Sequence, residues 1–340
     1  TYNTHDETRW YDKDSLIYIT GLSEIDAILG NDQKLIDDVL FAAEEMKPAF
    51  IALTNSPVPF LNGTDFATIS RIIEARTGIP TFYIQTNGMH DYIPGAGEAF
   101  AELARRFVHP AKHVVPNRVN LLGVTPLDFA AADSAVSLRK RLEDAGFAIH
   151  ACWAMGDDLD AILRSGEAAA NLVVSATGYR AAKVLRERFG TPYVIGAPIG
   201  NFTGMLSSAL KTAMKTGENQ FPLQDRLRVS APSVYAVGEP VTMGSVLAAL
   251  EIPGRLLCPL EQCEGLLFAD DVLIMGEEQA ETALAAAKVV IADPMYRPIL
   301  PDGARLIELP HEAFSGRCYR KTMQNLFTLD IPSLRKEANL

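Results

Sequence analysis

The chain has 340 residues, of which 48% are hydrophobic and 21% charged, and its net charge is −11. Since one domain typically holds ~100–150 residues, this length predicts two or three domains. The acidic balance, without a cluster of Lys and Arg, argues against nucleic-acid binding, and no apolar run is long enough to span a membrane. We therefore expect a soluble protein whose partners are small molecules or other proteins.

Short β-rich apolar segments alternate with amphipathic segments along the chain, a pattern typical of βαβ units with parallel sheets. The predicted strands are Leu16–Thr20, Ala49–Thr54, Thr81–Gln85, Val119–Val124, Ala148–Trp153, Leu172–Ser175, Tyr193–Ile195, Val234–Val237, Val272–Met275, Val289–Ala292 and Leu306–Leu309. The predicted helices are Lys34–Met46, Asp65–Arg76, Leu138–Ala145, Arg180–Phe189, Phe202–Thr216 and Glu277–Ala287. This alternation predicts the α/β fold class.

Two proline-containing segments, His109–Asn117 and Gly217–Pro232, each precede a new strand and predict domain boundaries. They divide the chain into a first α/β domain at 1–112, a second at 113–225 and a third, with a C-terminal extension, at 226–340. The chain begins at Thr1 without a signal-peptide pattern, which leaves open a further segment before the first domain.

In open parallel sheets, ligands bind beyond the carboxyl ends of the strands. The densest polar loop, Thr86–Gly97, follows a predicted strand and contains His90 and Asp91. These two residues are candidates for acid–base catalysis, because histidine titrates near neutral pH. The alternative is that His90 is an ordinary solvated surface residue.

A second candidate is the helix that begins at Arg180, just after Ala176-Thr177-Gly178-Tyr179. The N–H groups at a helix start favour an anion, and the guanidinium of Arg180 adds positive charge. The alternative is simple capping of the helix by Thr177.

The chain contains four cysteines, too few for a disulfide framework, which favours a reducing compartment such as the cytoplasm. Cys258 and Cys263 lie five residues apart, and Cys318 lies in the same third of the chain. Three thiols and a fourth ligand could hold an iron–sulfur cluster. The spacing is not that of a CxxC motif, and buried cysteines that pack as small hydrophobic residues are the alternative.

Several segments together resemble the nitrogenase component 1-type oxidoreductases, the family of the nitrogenase MoFe protein, cofactor scaffolds and dark-operative protochlorophyllide reductase. The resemblance covers nearly the whole chain. The segments that carry it are Gly21–Leu35, Thr54-Asn55-Ser56-Pro57, Thr86-Asn87-Gly88, Gly178-Tyr179-Arg180 with Phe189-Gly190-Thr191-Pro192, Asp293–Arg297 and Leu309–Arg317.

The resemblance implies three Rossmann-like doubly wound domains with parallel sheets around a central cleft. It implies a homologous second subunit or self-association, as a dimer or heterotetramer, and docking of an ATP-dependent iron–sulfur reductase. It also implies an iron–sulfur cluster that is shared with the partner subunit. The cofactor-binding positions it implies are Ser56, Thr86, Asn87, Gly88, Gly178, Tyr179 and Arg180.

The sequence departs from the family at three positions where the family has cysteine, namely Ser56, Thr86 and Gly178. Hydroxyl groups are poor substitutes for thiolates at iron, so we expect that this chain lacks the usual cluster cysteines. The family's earliest cluster cysteine would precede Thr1.

Three functions stay open on this evidence. The first is a subunit of a nitrogenase-like oxidoreductase or cofactor-assembly complex. The second is a non-redox module that binds a tetrapyrrole or another anionic metabolite in the interdomain cleft, with Arg180 as a contact. The third is an unrelated α/β enzyme, such as a sugar-nucleotide enzyme, with His90 and Asp91 together as its base.

Overall fold

The computed structural model describes residues 17–19, 21 and 23–338. Within these residues, eleven strands form three sheets in which every strand pair is parallel. The predicted α/β class with parallel sheets is therefore confirmed. In the described part of the chain, no helix is long and apolar enough to cross a bilayer.

The first unit contains a two-stranded sheet, β1–β2, with helices around it. Its elements are α1 Glu24–Leu29, α2 Asp32–Met46, β1 Ile51–Thr54, α3 Pro57–Leu61, α4 Phe66–Thr77, β2 Thr81–Ile84 and α5 Tyr92–Arg106. The α4 helix begins at Asp65, whose carboxylate accepts a hydrogen bond from the Thr68 N–H at 2.9 Å, and ends at Gly78 in a left-handed conformation. A small core around Leu53, Phe66 and Ile73 holds this unit together.

One predicted strand, Leu16–Thr20, falls partly outside the described residues, since neither of its end residues is described. Residues 17–19 are described and form no strand, because they pair with no neighbouring strand. The first unit therefore has a smaller sheet, within the described residues, than a doubly wound domain would have.

The second unit contains a four-stranded sheet with strand order β4–β3–β5–β6. Its elements are β3 Val115–Val124, α6 Ser134–Asp144, β4 Ala148–Ala154, α7 Leu159–Leu163, β5 Ala168–Val173, α8 Tyr179–Phe189, β6 Tyr193–Ile195 and α9 Phe202–Thr216. The central strands β3 and β5 are joined by their side chains as well, since Asn120 donates to the Asn171 Oδ1 at 2.8 Å.

The third unit contains a five-stranded sheet with strand order β11–β10–β7–β8–β9. Its elements are β7 Val234–Val237, α10 Pro240–Leu250, β8 Gly254–Cys258, β9 Val272–Leu273, α11 Glu277–Leu284, β10 Val289–Ala292, β11 Arg305–Glu308, α12 Glu312–Ser315 and α13 Ile331–Glu337. A buried ion pair between Arg226 and Asp271 joins the segments that precede β7 and β9.

Several predicted elements match the structure residue for residue, including helix α9 and strands β6, β7 and β10. Others are displaced: β5 ends at Val173 and not at Ser175, and α11 ends at Leu284, three residues before the predicted end. The sequence analysis missed helix α10. Nearly every residue of this helix is buried, so its apolar residues show no helical period.

One hydrophobic core extends through the second and third sheets and includes Phe100 of α5. The loops that follow β5 and β7 approach each other there, since the N–H of Ala176 donates to the carboxylate of Glu239 at 2.8 Å. The domain boundaries at 112/113 and 225/226 stay predictions.

Candidate functional site

Two groups of polar side chains lie beyond the carboxyl ends of the strands. The first, which we name the surface contact cluster, consists of His90, Asp91 and Arg180 together with the 259–266 loop that follows β8. The second, the buried carboxylate cluster, consists of Asp128, Glu239 and Asp293. The two clusters differ in their exposure to solvent and in the groups that satisfy their charges.

His90 and Asp91 both contact the 259–266 loop. The Nδ1 atom of His90 lies 2.7 Å from a carboxylate oxygen of Glu261. Asp91 accepts a hydrogen bond from the backbone N–H of Glu261 at 2.6 Å and caps helix α5 by accepting from the N–H of Ile93 at 2.8 Å. Burial raises the pKa of Asp91, while these N–H groups lower it. The structure thus joins the first unit to the third through Glu261, which the sequence analysis did not identify.

Arg180 and Tyr179 contact the same loop from the second unit. The guanidinium of Arg180 donates to Glu98 of α5 at 2.9 Å and to the side-chain oxygen of Gln262. A Cβ built at Gly265 would lie 3.2 Å from the ring of Tyr179, so the loop backbone lies directly against this ring. The predicted anion-binding arginine therefore already has two partners within the chain.

Cys258 ends strand β8 and Cys263 lies within this loop. Their thiols contact each other, and both residues are fully buried. Their thiols point to the carbonyl oxygens of Leu260 and Glu261, at 3.6 and 3.4 Å. The contact with Cys258, together with burial, raises the pKa of Cys263, so the structure favours the protonated thiol.

Cys318 is exposed, and the structure does not bring it to Cys258 and Cys263. Among the described residues, no three or more His, Cys, Asp or Glu side chains are grouped so that they could hold a metal ion.

The remaining candidates of the first unit, Ser56, Thr86, Asn87 and Gly88, meet at the ends of β1 and β2. The hydroxyl of Thr86 accepts from the N–H of Asn55 at 2.7 Å and donates to its carbonyl at 3.0 Å. Asn87 accepts from the N–H of Met89 at 2.9 Å in a local turn. Gly88 has φ +71°, and a Cβ there would lie 2.7 Å from the ring of Pro57. These contacts fix the two loops against each other.

The residues at positions 56, 86 and 178 do not fit an iron–sulfur cluster. Thr86 already uses its hydroxyl between the two strands, and neither Ser56 nor Thr86 offers a thiolate. A Cβ at Gly178 would lie 2.5 Å from the carbonyl oxygen of Leu122 and 2.7 Å from the N atom of Gly123. Since real Cβ atoms do not approach backbone atoms so closely, a cysteine could occupy position 178 only if strand β3 or the start of α8 moved.

The buried carboxylate cluster contacts the chain at Ala176, two residues before Gly178. Glu239 follows β7 and is fully buried, and its carboxylate accepts from the N–H groups of Ala176, Val241 and Thr242 at 2.8, 3.1 and 2.7 Å. An internal carboxylate thus binds Ala176, within the helix start for which the sequence predicts an anionic ligand. Burial and the nearby charge of Asp128 raise the pKa of Glu239 to about 7.

Asp128 and Asp293 complete this cluster. Asp128 accepts from the hydroxyls of Tyr92 and Thr125 at 2.5 and 2.7 Å, and burial together with Asp128 raises the pKa of Tyr92. Asp293 follows β10 and accepts from the N–H of His311 at 2.7 Å and the hydroxyl of Ser315 at 2.8 Å. Two members of the cluster could have been found from the sequence. Glu239 and Asp293 each stand between a strand and a proline that begins a helical segment.

One cavity lies away from both clusters. It is a shallow groove of about 420 Å³ between helix α13 and the start of α9, lined by Gly200, Ala249, Ile331 and Arg335 among others. None of the predicted site residues lines it.

Comparison with known proteins identifies the protein family of this chain. Residues 1–211 match the family model described as Nitrogenase component 1 type Oxidoreductase, which is more than half of the chain. The chain belongs to this family.

The similar curated proteins are subunits B of light-independent protochlorophyllide reductase. That of Prosthecochloris aestuarii (strain DSM 271 / SK 413) is 37% identical over 102 residues, which cover 30% of this chain and 19% of the relative. That of Chloroflexus aggregans (strain MD-66 / DSM 9485) is 33% identical over 109 residues, which cover 32% and 20%. The matched segment thus spans about a fifth of the length of these relatives.

Two solved structures, described as "Nitrogenase Cp1 at pH 5" and "Nitrogenase Cp1 at pH 6.5", share the fold. The first has a TM-score of 0.63 and 14% identity and covers 94% of this chain and 76% of that one. The second has a TM-score of 0.60 and 13% identity, with coverage of 94% and 78%. At this identity the likeness shows the fold alone.

Proposed function

We propose that this chain is one subunit of a cytoplasmic nitrogenase-like oxidoreductase or cofactor-assembly complex, and that it supplies no cluster thiolate at positions 56, 86 and 178. Family membership supports the subunit role. The observation that carries the proposal is a set of exposed apolar side chains on the first unit, which includes the Ser56 and Thr86 loops.

These side chains belong to several elements of the first unit. Ile28 and Leu29 of α1, Phe41 of α2 and Leu61 of α3 are between 66% and 78% exposed, and Met89 in the Thr86 loop is 56% exposed. Single exposed apolar residues are common on any protein surface. A concentration of them on one small unit is typical of a surface that a partner covers.

The proposed partner is a homologous second subunit or a second copy of this chain, in a dimer or heterotetramer. Thiolates of that partner would hold the iron–sulfur cluster near the Ser56 and Thr86 loops. An ATP-dependent iron–sulfur reductase is the proposed electron donor, in line with the family resemblance.

The test is the mass of the chain in solution, alone and co-expressed with homologous subunits, measured by light scattering. We expect an oligomer that Leu61→Asp disrupts and Met275→Asp leaves intact, since Met275 is also exposed but lies in the third unit. A chain that is monomeric alone and with every homologous partner would refute the subunit role.

A second candidate function is acid–base chemistry at His90. The pairing of Nδ1 with Glu261 favours it, because a carboxylate that orients one ring nitrogen leaves Nε2 to exchange a proton with a bound molecule. If Glu261→Gln and His90→Gln both leave turnover by the assembled complex unchanged, this function is excluded.

The non-redox alternative, binding of a tetrapyrrole or another anionic metabolite, has less support. Arg180 would have to release Glu98 and Gln262 to contact such a ligand. Thermal-shift measurements with free tetrapyrroles test it, because a ligand that binds the folded state raises the melting temperature.

A further inference from the structure

A small cavity lies between Asp128 and His311, at the point where the loops of the second and third sheets meet. Its volume is about 20 Å³, and its polar lining includes Asp128, Thr242, His311 and Glu312. A polar cavity above about 10–15 Å³ can hold one water molecule. Space and polarity therefore both permit a single small ligand.

The hydrogen bonds of His311 define its tautomer. Its Nδ1 atom lies 3.2 Å from the backbone N of Ala313, which can only donate, so Nδ1 is an acceptor and carries no proton. In the neutral ring the proton is therefore on Nε2. The side chain is only 5% exposed, so Nε2 is a buried donor.

This donor has no hydrogen-bond partner among the described residues. The nearest acceptor, the Oδ1 atom of Asp128, lies 3.5 Å away, which is too far for a good hydrogen bond. A buried donor left unpaired costs about 1–3 kcal/mol, so the cavity beside it should contain an acceptor.

The chemistry of the lining selects among small ligands. A cation would meet the positive end of the Nε2–H bond, and the described residues contain no grouping suited to a metal ion. An anion would meet the carboxyl groups of Asp128 and Glu312. A water molecule can accept from Nε2–H and donate to a carboxylate, which satisfies both.

We propose that this cavity is a binding site for one water molecule, which accepts a hydrogen bond from His311 Nε2 and donates one to Asp128 Oδ1. The water completes a chain from the Tyr92 hydroxyl at the start of α5, through Asp128 after β3, to His311 after β11. This chain connects segments from all three units in the interior. It does not depend on the proposed subunit role.

The first test is a high-resolution crystal structure of the protein. We expect a single density peak within hydrogen-bond distance of His311 Nε2 and Asp128 Oδ1, with the height of a fully occupied water. An empty cavity, or a peak with the anomalous signal of a metal, would overturn the proposal.

The second test is NMR of ¹⁵N-histidine-labelled protein. We expect one ring signal with a proton on Nε2 that shows a cross-peak to water and stays unshifted in excess Zn²⁺. The signal should be lost in His311→Phe and kept in His113→Phe, whose ring is exposed. A proton on Nδ1, or a shift with Zn²⁺, contradicts the proposal. If His311→Phe does not fold, the crystal structure decides alone.

Discussion

The surface contact cluster and the buried carboxylate cluster occupy the same topological place, beyond the carboxyl ends of parallel strands, but they differ in exposure. In the first, His90 and Glu261 pair on the surface, where their side chains are 51% and 36% exposed. In the second, Glu239 is fully buried and is bound by three backbone N–H groups. The exposed pair of His90 and Glu261 is therefore a weak contact between loops. The buried carboxylate of Glu239, in contrast, must be stabilised by the fold.

Removal of the Glu239 side chain is expected to have the largest effect on stability. Glu239→Ala leaves three buried N–H groups without an acceptor, so we expect a loss of about 3–5 kcal/mol in the free energy of unfolding. Urea denaturation measures it. Glu281→Ala, at an exposed position of α11, is the matched control and should change the stability by less than about 0.5 kcal/mol. Equal effects would show that Glu239 is not held as described.

The pH dependence of stability tests the same carboxyl group. Its pKa is raised from 4.5 to about 7 in the folded protein, so the folded state binds more protons than the unfolded state between these values. The raised pKa of Glu239 stabilises the folded state fully below about pH 4.5. This contribution to the free energy of unfolding is lost as the pH rises through about 7, by up to about 3 kcal/mol.

Urea unfolding of the wild type and of Glu239→Gln across this pH range provides the measurement. The advantage of the wild type over the variant should shrink as the pH rises. A difference that is independent of pH would contradict the raised pKa of Glu239.

A substitution at Gly178 probes the packing of the start of α8 against strand β3. Gly178→Ala places a Cβ 2.5 Å from the carbonyl oxygen of Leu122, and we expect a loss of about 2 kcal/mol. Gly204→Ala in helix α9, where a Cβ meets nothing within 4 Å, should instead stabilise the protein by up to about 1 kcal/mol. Thermal unfolding compares them, and a neutral Gly178→Ala would show that position 178 has room for a side chain.

The smallest effect is expected in the surface contact cluster. A double-mutant cycle with His90→Ala and Glu261→Ala should give a coupling energy of about 0.2–1 kcal/mol at low salt, and less at high salt. A coupling above about 2 kcal/mol would mean that this pair is shielded from solvent in the assembled protein.

The sequence predicted elements well where local signals agree with the fold. Helix α9 matches from Phe202 to Thr216 because its apolar face has a helical period and Gly217 ends it. Helix α10 and strand β8 were missed. Burial on all sides removes the periodic pattern in α10, and β8 is a short segment after a turn.

For the candidate site, the sequence located individual residues but not their partners. His90 and Asp91 were predicted as a polar loop and Cys258 and Cys263 as a separate thiol pair, yet the structure joins them through Glu261. Contacts between residues 170 positions apart leave no local pattern. The same holds for Tyr92 and Asp128, which meet only when α5 packs against the second sheet.

The sequence by itself determined the α/β class, the alternation of parallel strands and helices, and the absence of cysteine at positions 56, 86 and 178. Hydrophobic period, turn residues and side-chain identity are local properties, so they can be read directly. The tertiary structure decided which polar residues are buried, which carboxyl groups gain N–H donors, and whether position 178 has space for a Cβ. Those properties depend on the neighbours that packing supplies from distant parts of the chain.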